Sequence, residues 1–446
     1  MKKIVRMKNP VRVTYRAFRK FVRSTSLSGI ILISCVIVAM AIANSSLSSQ
    51  YFALWNTVIT LSFGSFSTSH TLLHFINDGL MVVFFFLVGL EIKREILVGH
   101  LSKVRQALFP VLATLGGIVF PAAIYLLFSH DDISMHGWAV PTATDIAFAL
   151  GLLSLLGRKV PMSLKIFLTT VAIVDDIGGI MIIGIFYTDY INMTSLMMAA
   201  AIFSIMMVMN LAGVRITTLY VLMSVLLWLE ISTSGIHPTI AGVIAAMTIP
   251  VKPDIDMTTY LQKSKRQLKF LDNDEIEDIN ILQDIASQSA LTTLKTLSKQ
   301  ALAPLTKIEA GLHKVVLYGI LPLFAFANSG ITIAGDVNSS APVSIAIASG
   351  LVIGKPMGIL GGSWLGVKLG LTQKPSDLTW RHIFGVGLIG GVGFTMAVFI
   401  STLVFENTDY AVASKLGIIA GSTIAGIAGL FVLSTINNAQ ESNHSA

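Results

Sequence analysis

The sequence predicts an all-α polytopic membrane protein of about twelve transmembrane helices. Three observations predict it: an apolar composition, apolar runs long enough to cross a bilayer, and a one-sided distribution of basic residues. Hydrophobic residues make up 54% and charged residues only 12% of the 446 positions, with a mean hydropathy of +0.76; a soluble domain carries about 25% charged residues. This balance excludes a soluble domain, and the net charge of +7 reads as orientation in a membrane rather than as a nucleic-acid surface.

A run of about 20 apolar residues crosses roughly 30 Å of hydrocarbon as a helix. Twelve such windows occur: 27–44, 72–91, 107–128, 138–156, 164–187, 194–213, 216–232, 235–250, 312–333, 342–365, 382–405 and 411–434. They divide the chain into a basic N-terminal segment (1–24), helices 1–8 (25–250), a polar insertion (251–311), helices 9–12 (312–434) and a tail (435–446). With twelve passes, all but two of the 31 lysines and arginines fall on the side of the N-terminus. The positive-inside rule therefore predicts both termini on the cytoplasmic side. The two exceptions are Lys415, which can snorkel from the outer end of the last span, and Lys355, inside a span. The basic start followed by an apolar run also imitates a signal peptide, but its removal would leave an odd number of helices. The lone Cys35 rules out a disulfide framework.

Two segments depart from the span-and-loop pattern. SSQYFALWNTVITLSFGSFSTSH, after the first span, is rich in aromatic and β-branched residues and reads as a small extracytoplasmic β-hairpin, with an interfacial re-entrant piece as the alternative. The insertion contains LDNDEIEDINILQDIASQSALTTLKTLSKQ, whose apolar residues recur at helical spacing. It reads as one or two amphipathic helices serving as a solvated spacer, with regulation as the alternative.

Spans four and eleven are interrupted. The fourth opens with WAVPTATD (Trp138 to Asp145) and the eleventh carries GVGLIGGVGFTMAVF (Gly385 to Phe399). Proline, glycine and threonine at membrane depth let helices unwind where a cavity or protein satisfies the backbone. The two positions correspond if spans three to five and ten to twelve are inverted-topology repeats, a pattern that marks a transport site near the midplane.

Four charges lie in these apolar spans: Asp145, Lys355, and the adjacent pair Asp175 and Asp176 in VAIVDDIGG. Left unpaired they would cost on the order of 10 kcal/mol on an insertion scale, which packing alone does not justify. The two adjacent aspartates point about 100° apart on a helix and address one cavity from two directions, while Gly178 and Gly179 let another segment approach. Carboxylates with the Thr144 hydroxyl form an oxygen-only donor set for a hard cation, and no Cys or His shares these segments. The predicted cation and proton site is Asp175, Asp176, Asp145 and Thr144, with Lys355 as counter-ion. The metal at Asp175 and Asp176 is a transported hard cation, and no cofactor is called for. A cation binds such carboxylates only after protons leave, so one site serving both in turn is an exchanger.

The motifs INDGLMVVFFFLVGLEIKRE, VPTATDIAFALG, VAIVDDIGG, SGIHPTIAGV, LPLFAFANSG, GKPMGI and GGVGFTMAVF occur in that order over nearly the whole chain. In these the chain resembles NhaA-type sodium/proton antiporters. The resemblance implies electrogenic exchange of cytoplasmic Na+ or Li+ for external protons by alternating access, with Asp176 as cation ligand and proton carrier. Asp175 would be its partner, paired with Lys355 when no cation is bound; Asp145 and Thr144 would line the site, and Asp78 would have a transport role. It further implies a pH-responsive group of Glu91, Arg94 and Glu95, with Glu309, His313 and, on the opposite side, His237, and a homodimer through the outer hairpin. Two departures touch the pH response: Ala310 stands where the family often has a histidine, and the insertion is longer than the family's usual connection.

Two rival classes fit these features less well. An intramembrane aspartyl protease needs its carboxylates on separate helices in Tyr-Asp and Gly-x-Gly-Asp contexts, and neither context occurs. A Na+- or H+-coupled symporter of an organic solute would need more polar lining. The sequence thus reads as a transporter and not an enzyme, with Na+ or Li+, protons and lipid as its partners and no nucleic acid.

Overall fold

The computed structural model describes residues 10–63, 66–188, 191–273, 285–332, 341–406 and 408–436. Its elements in chain order are α1 (Pro10–Ala43), α2 (Ser48–Trp55), β1 (Val58–Phe63), β2 (Phe66–Thr71), α3 (Leu72–Val98), α4 (Val104–Phe128), α5 (Asp132–Thr142), α6 (Ile146–Leu155), α7 (Met162–Phe186), α8 (Met193–Leu211), α9 (Thr217–Ser234) and α10 (Thr239–Thr248). After these come α11 (Met257–Asn273), α12 (Ile285–Gln300), α13 (Pro304–Asn328), α14 (Ala341–Lys368), α15 (Trp380–Gly390), α16 (Phe394–Phe405) and α17 (Tyr410–Ser434). Among the described residues eight helices are long and apolar enough to cross a membrane. Counting each of three bent pairs as one span raises this to 11. The chain is a multi-pass membrane protein.

The predicted windows coincide with these helices except at 235–250. There Gly235 ends α9 with φ of 88°, a left-handed conformation that glycine adopts without steric penalty. Pro238 follows, and the helix that remains, α10, has only 10 residues, about 15 Å at 1.5 Å per residue. The outer segment also differs in part. Its first eight residues form α2, where Tyr51 and Trp55, one turn apart, are each 5% exposed. Only Val58–Phe63 and Phe66–Thr71 form the expected hairpin, antiparallel with Val58 opposite Thr71.

The chain divides into two compact units, one of Met1–Phe84, Glu91–Asp189 and Val315–Ala446, the other of Phe85–Leu90 and Tyr190–Lys314. In the larger unit, Leu150, Leu164, Phe167, Val171, Ile359, Ile383 and Ile389 join α6, α7, α14 and α15 in one core. Helices α4 and α14 touch backbone to backbone: a Cβ on Gly116 would lie 2.1 Å from the Gly358 carbonyl, and one on Gly362 would lie 2.1 Å from that of Leu112. Small residues at such crossings maximise packing where lipid removes the hydrophobic drive for association.

The smaller unit packs α8, α9 and α10 around Met206, Tyr220, Leu227, Ile231 and Ala245. Helices α11 and α12 pair beyond them, as the helical spacing of the insertion predicts. The base of this pair is closed by Leu305 N–H donating to Pro250 O at 3.1 Å and Asp254 N–H to Gln300 O at 3.0 Å. Asp254 also lies 3.8 Å from Arg215 and 3.7 Å from Lys307.

Candidate functional site

The site arises where two breaks in helical structure meet inside the larger unit. Helices α5 and α6 are bent by 45° at residues 143–145, and α15 and α16 by 47° at 391–393. Glycine lets the breaks touch: a Cβ on Gly393 would lie 2.8 Å from Ala143 O, and one on Gly391 would lie 2.2 Å from Leu351 O. Each break exposes two kinds of helix end. The ends of α5 and α15 present carbonyls, the negative pole, while the starts of α6 and α16 present N–H groups, the positive pole.

Asp145 serves the positive ends. Its Oδ1 accepts from Phe148 N–H at 3.0 Å in α6. Its Oδ2 accepts from the Thr395 N–H at 3.1 Å and from the Thr395 hydroxyl at 2.5 Å in α16. Its own N–H donates to Val392 O at 2.8 Å. One carboxylate thereby caps two helices, and its hydrogen bonds all run to the broken segments.

Lys355 serves one negative end, that of α5. It follows a π-helical turn, Gly350–Gly354, a local widening often found at functional positions. With 0% exposure, its Nζ donates to Thr142 O at 2.5 Å and to Asp175 Oδ2 at 2.6 Å. A buried ammonium is tolerated only with such partners.

Asp175 and Asp176 project from α7, 5% and 7% exposed. Asp175 Oδ2 receives, besides Lys355, the Thr144 hydroxyl at 2.6 Å; that hydroxyl also lies 2.8 Å from Gly390 O, at the end of α15. Asp175 Oδ1 and Asp176 Oδ2 are buried with no hydrogen-bond partner. Buried acceptors are almost always satisfied, so two orphan carboxylate oxygens on adjacent residues are donors open to a cation or a proton. Of the two glycines that follow, Gly178 is crowded by Ile118, 2.7 Å from a Cβ added there, whereas Gly179 has open space; only the first admits a neighbouring segment.

The structure thus brings Asp175, Thr144 and Lys355 into direct contact and gathers Asp145 to the same crossing, held by other partners. Among the described residues no group of three or more His, Cys, Asp or Glu converges as metal ligands. Thr395, Thr142 O and Gly390 O belong to the crossing and were not singled out from the sequence. The threonine that follows the glycines of GGVGFTM, at the start of a resumed helix, was the available signal for Thr395.

The other predicted residues stand elsewhere. Asp78 lies in a π-helical turn, Phe75–Leu80, with His74 Nε2 at 3.4 Å from its Oδ2. Glu91, Arg94 and Glu95 share α3, with Arg94 3.8 Å from Glu95 and Glu95 accepting from the His100 N–H at 3.0 Å. In the smaller unit, Glu309 is 9% exposed and one turn before His313 on α13. His237 Nδ1 lies 2.7 Å from the Thr239 hydroxyl at the start of α10.

Comparison with known proteins agrees with this architecture. The family model described as Na+/H+ antiporter 1 matches residues 19–433. The Na(+)/H(+) antiporter NhaA of Oleidesulfovibrio alaskensis is 41% identical over 434 residues, covering 97% of this chain and 96% of that protein. The NhaA of Wolinella succinogenes is 43% identical over 416 residues, 93% and 92% of the two chains. That of Rhodospirillum rubrum is 41% identical over 426 residues, 94% and 97%. A match over nearly the full length, with the buried aspartates and lysine assembled at crossed helix breaks, places the chain in the Na+/H+ antiporter 1 family.

Proposed function

We propose that the protein exchanges Na+ or Li+ from the cytoplasm for external protons, more protons entering than cations leaving, by alternating access of one buried site. The observation that carries this reading is the two orphan oxygens of adjacent residues, Asp175 Oδ1 and Asp176 Oδ2, with the buried Lys355 on the other oxygen of Asp175. A desolvated carboxylate with no donor is satisfied either by a proton or by a hard cation, and not by both. Asp176 is the cation ligand and proton carrier. Asp175 alternates between Lys355 and a proton, with the Thr144 hydroxyl as a further oxygen of the site, and Asp145 holds the crossing. Protonation releases the cation and cation binding releases protons, which is the coupling that exchange requires.

In this reading the bent pairs α5–α6 and α15–α16 are the fourth and eleventh of twelve spans, and spans three to five and ten to twelve are inverted copies. The one-sided distribution of lysines and arginines supports cytoplasmic termini in a bacterial inner membrane. The β1–β2 hairpin is the contact of a homodimer. Glu91, Arg94, Glu95, Glu309, His313 and His237 tune the pH response, and Asp78 lies on the transport route.

The test is reconstitution into liposomes with an imposed pH gradient, followed by addition of Na+, Li+ or K+. Na+ and Li+ are expected to collapse the gradient in the wild type and not in Asp176→Asn. A gradient that survives every cation in the wild type, or collapses equally in Asp176→Asn, overturns the reading.

A further inference from the structure

Asp145 receives more hydrogen bonds than any other carboxylate at the crossing, and one residue supplies two of its three donors. Thr395, 1% exposed, gives both its N–H and its hydroxyl to Asp145 Oδ2. Asp145 is also tied through its backbone N–H to Val392 O. The residue is therefore fixed at main chain and side chain together. Its chain neighbour is Thr144, whose hydroxyl stands 2.6 Å from Asp175 Oδ2. Clamping Asp145 at main chain and side chain anchors the adjoining Thr144 backbone across one planar peptide unit, and the hydroxyl is oriented from there by Asp175 Oδ2 and by Gly390 O at 2.8 Å.

The two donors of Thr395 are separable. Its N–H belongs to the unpaired first turn of α16 and survives any substitution except proline. Its hydroxyl is a side-chain choice, and a hydroxyl to a buried carboxylate is one of the stronger hydrogen bonds a protein makes. Valine has the shape of threonine without that donor, and serine has the donor without the methyl group.

We propose that Thr395 is a positioning residue of the exchange site: by clamping Asp145 it sets the Thr144 hydroxyl against Asp175 and so governs the site's affinity for its cation. This rests on the reading of the site as one that exchanges Na+ for protons. Affinity rather than maximal rate is affected, because the clamp preorganises the Thr144 oxygen beside Asp175 before a cation arrives and touches none of the transported species.

The experiment measures Na+-dependent collapse of a pH gradient in proteoliposomes bearing wild type, Thr395→Val and Thr395→Ser, each checked for folding by its thermal melt in detergent. Thr395→Val is expected to raise the Na+ KM between about 10- and 100-fold, from the loss of a hydrogen bond to a charged acceptor, with maximal rate kept within about threefold. Thr395→Ser is expected to restore the wild-type KM to within about twofold. An unchanged KM in Thr395→Val, or a serine variant as impaired as the valine one, overturns the proposal; if the valine variant does not fold, Thr395→Ala is read in its place. Should wild-type vesicles show no Na+ response, the exchange reading is what fails, and calorimetric titration of the purified proteins with Na+ then decides. Weaker binding to Thr395→Val than to wild type supports the clamp; equal affinity, or no Na+ binding to wild type, overturns it.

Discussion

Lys355 and Asp175, 180 positions apart in sequence, meet with Nζ 2.6 Å from Oδ2 at a point where neither side chain reaches solvent. Truncating one member of a buried pair leaves the other charge desolvated and alone, at a cost of about 3–5 kcal/mol. Lys355→Ala is therefore expected to lower the melting midpoint of the purified protein by several degrees. A variant that melts with the wild type would show that the pair does not hold α7 to α14.

Asp145 and Asp176 should respond in opposite ways to truncation. Asp145→Ala removes the acceptor for three donors at two helix starts and is expected to destabilise by about 1–3 kcal/mol. Asp176→Ala removes a buried charge whose Oδ2 accepts nothing, so stability stays level or rises while exchange is lost. Paired melting curves and exchange assays on the two variants check the contrast.

The Gly116–Gly358 contact has no room for a side chain. Gly116→Val is expected to force α4 and α14 apart and to cost about 1–3 kcal/mol or more as overpacking. Gly179→Ala, which meets nothing within 4 Å, serves as the matched control, and differential scanning of the two proteins separates them.

On the outer hairpin, His70 stacks on His74 with ring centroids 4.4 Å apart. Burial, and then the neighbouring His74, hold the His70 pKa below its usual 6.5. A histidine with a depressed folded pKa is favoured neutral in the folded state, so its contribution is present above about 6.5 and is lost as pH falls below that value. Comparing melts at pH 7.5 and pH 5, the wild type should lose more than His70→Gln. An equal loss would remove the stacked pair as an acid-sensitive contact.

The joint at the base of α11 and α12 is already closed by Leu305 N–H on Pro250 O. Replacing 257–300 with a short Gly/Ser linker is thus expected to leave Na+-dependent exchange intact, as a solvated spacer requires. Loss of exchange in a variant that still folds would assign the helical pair a regulatory part in its place.

The spans were legible in the sequence because burial in lipid demands long apolar runs, and hydropathy reads those directly. The window at 235–250 holds a helix shorter than its apolar run, since composition is blind to the left-handed Gly235 and to Pro238, which leave ten residues helical. Residues 48–55 carried β-compatible aromatics, yet Tyr51 and Trp55 sit one turn apart, and tertiary burial decided for a helix. Within the site, the buried charges announced themselves by their cost. The roles of Thr395, Thr142 O and Gly390 O did not: hydroxyls and carbonyls are cheap anywhere, and only the meeting of segments 213 to 250 residues apart makes them partners.

That separation also dictates an order of assembly. Asp145 leaves the ribosome 250 residues before Thr395, and Asp175 leaves it 180 residues before Lys355. At roughly 5–20 residues per second, the first interval lasts about 12–50 s. During that time Asp145 lacks the donors of Thr395, and for the shorter interval Asp175 lacks its counter-charge Lys355, so the early spans form an electrically unfinished intermediate, completed when the last third arrives.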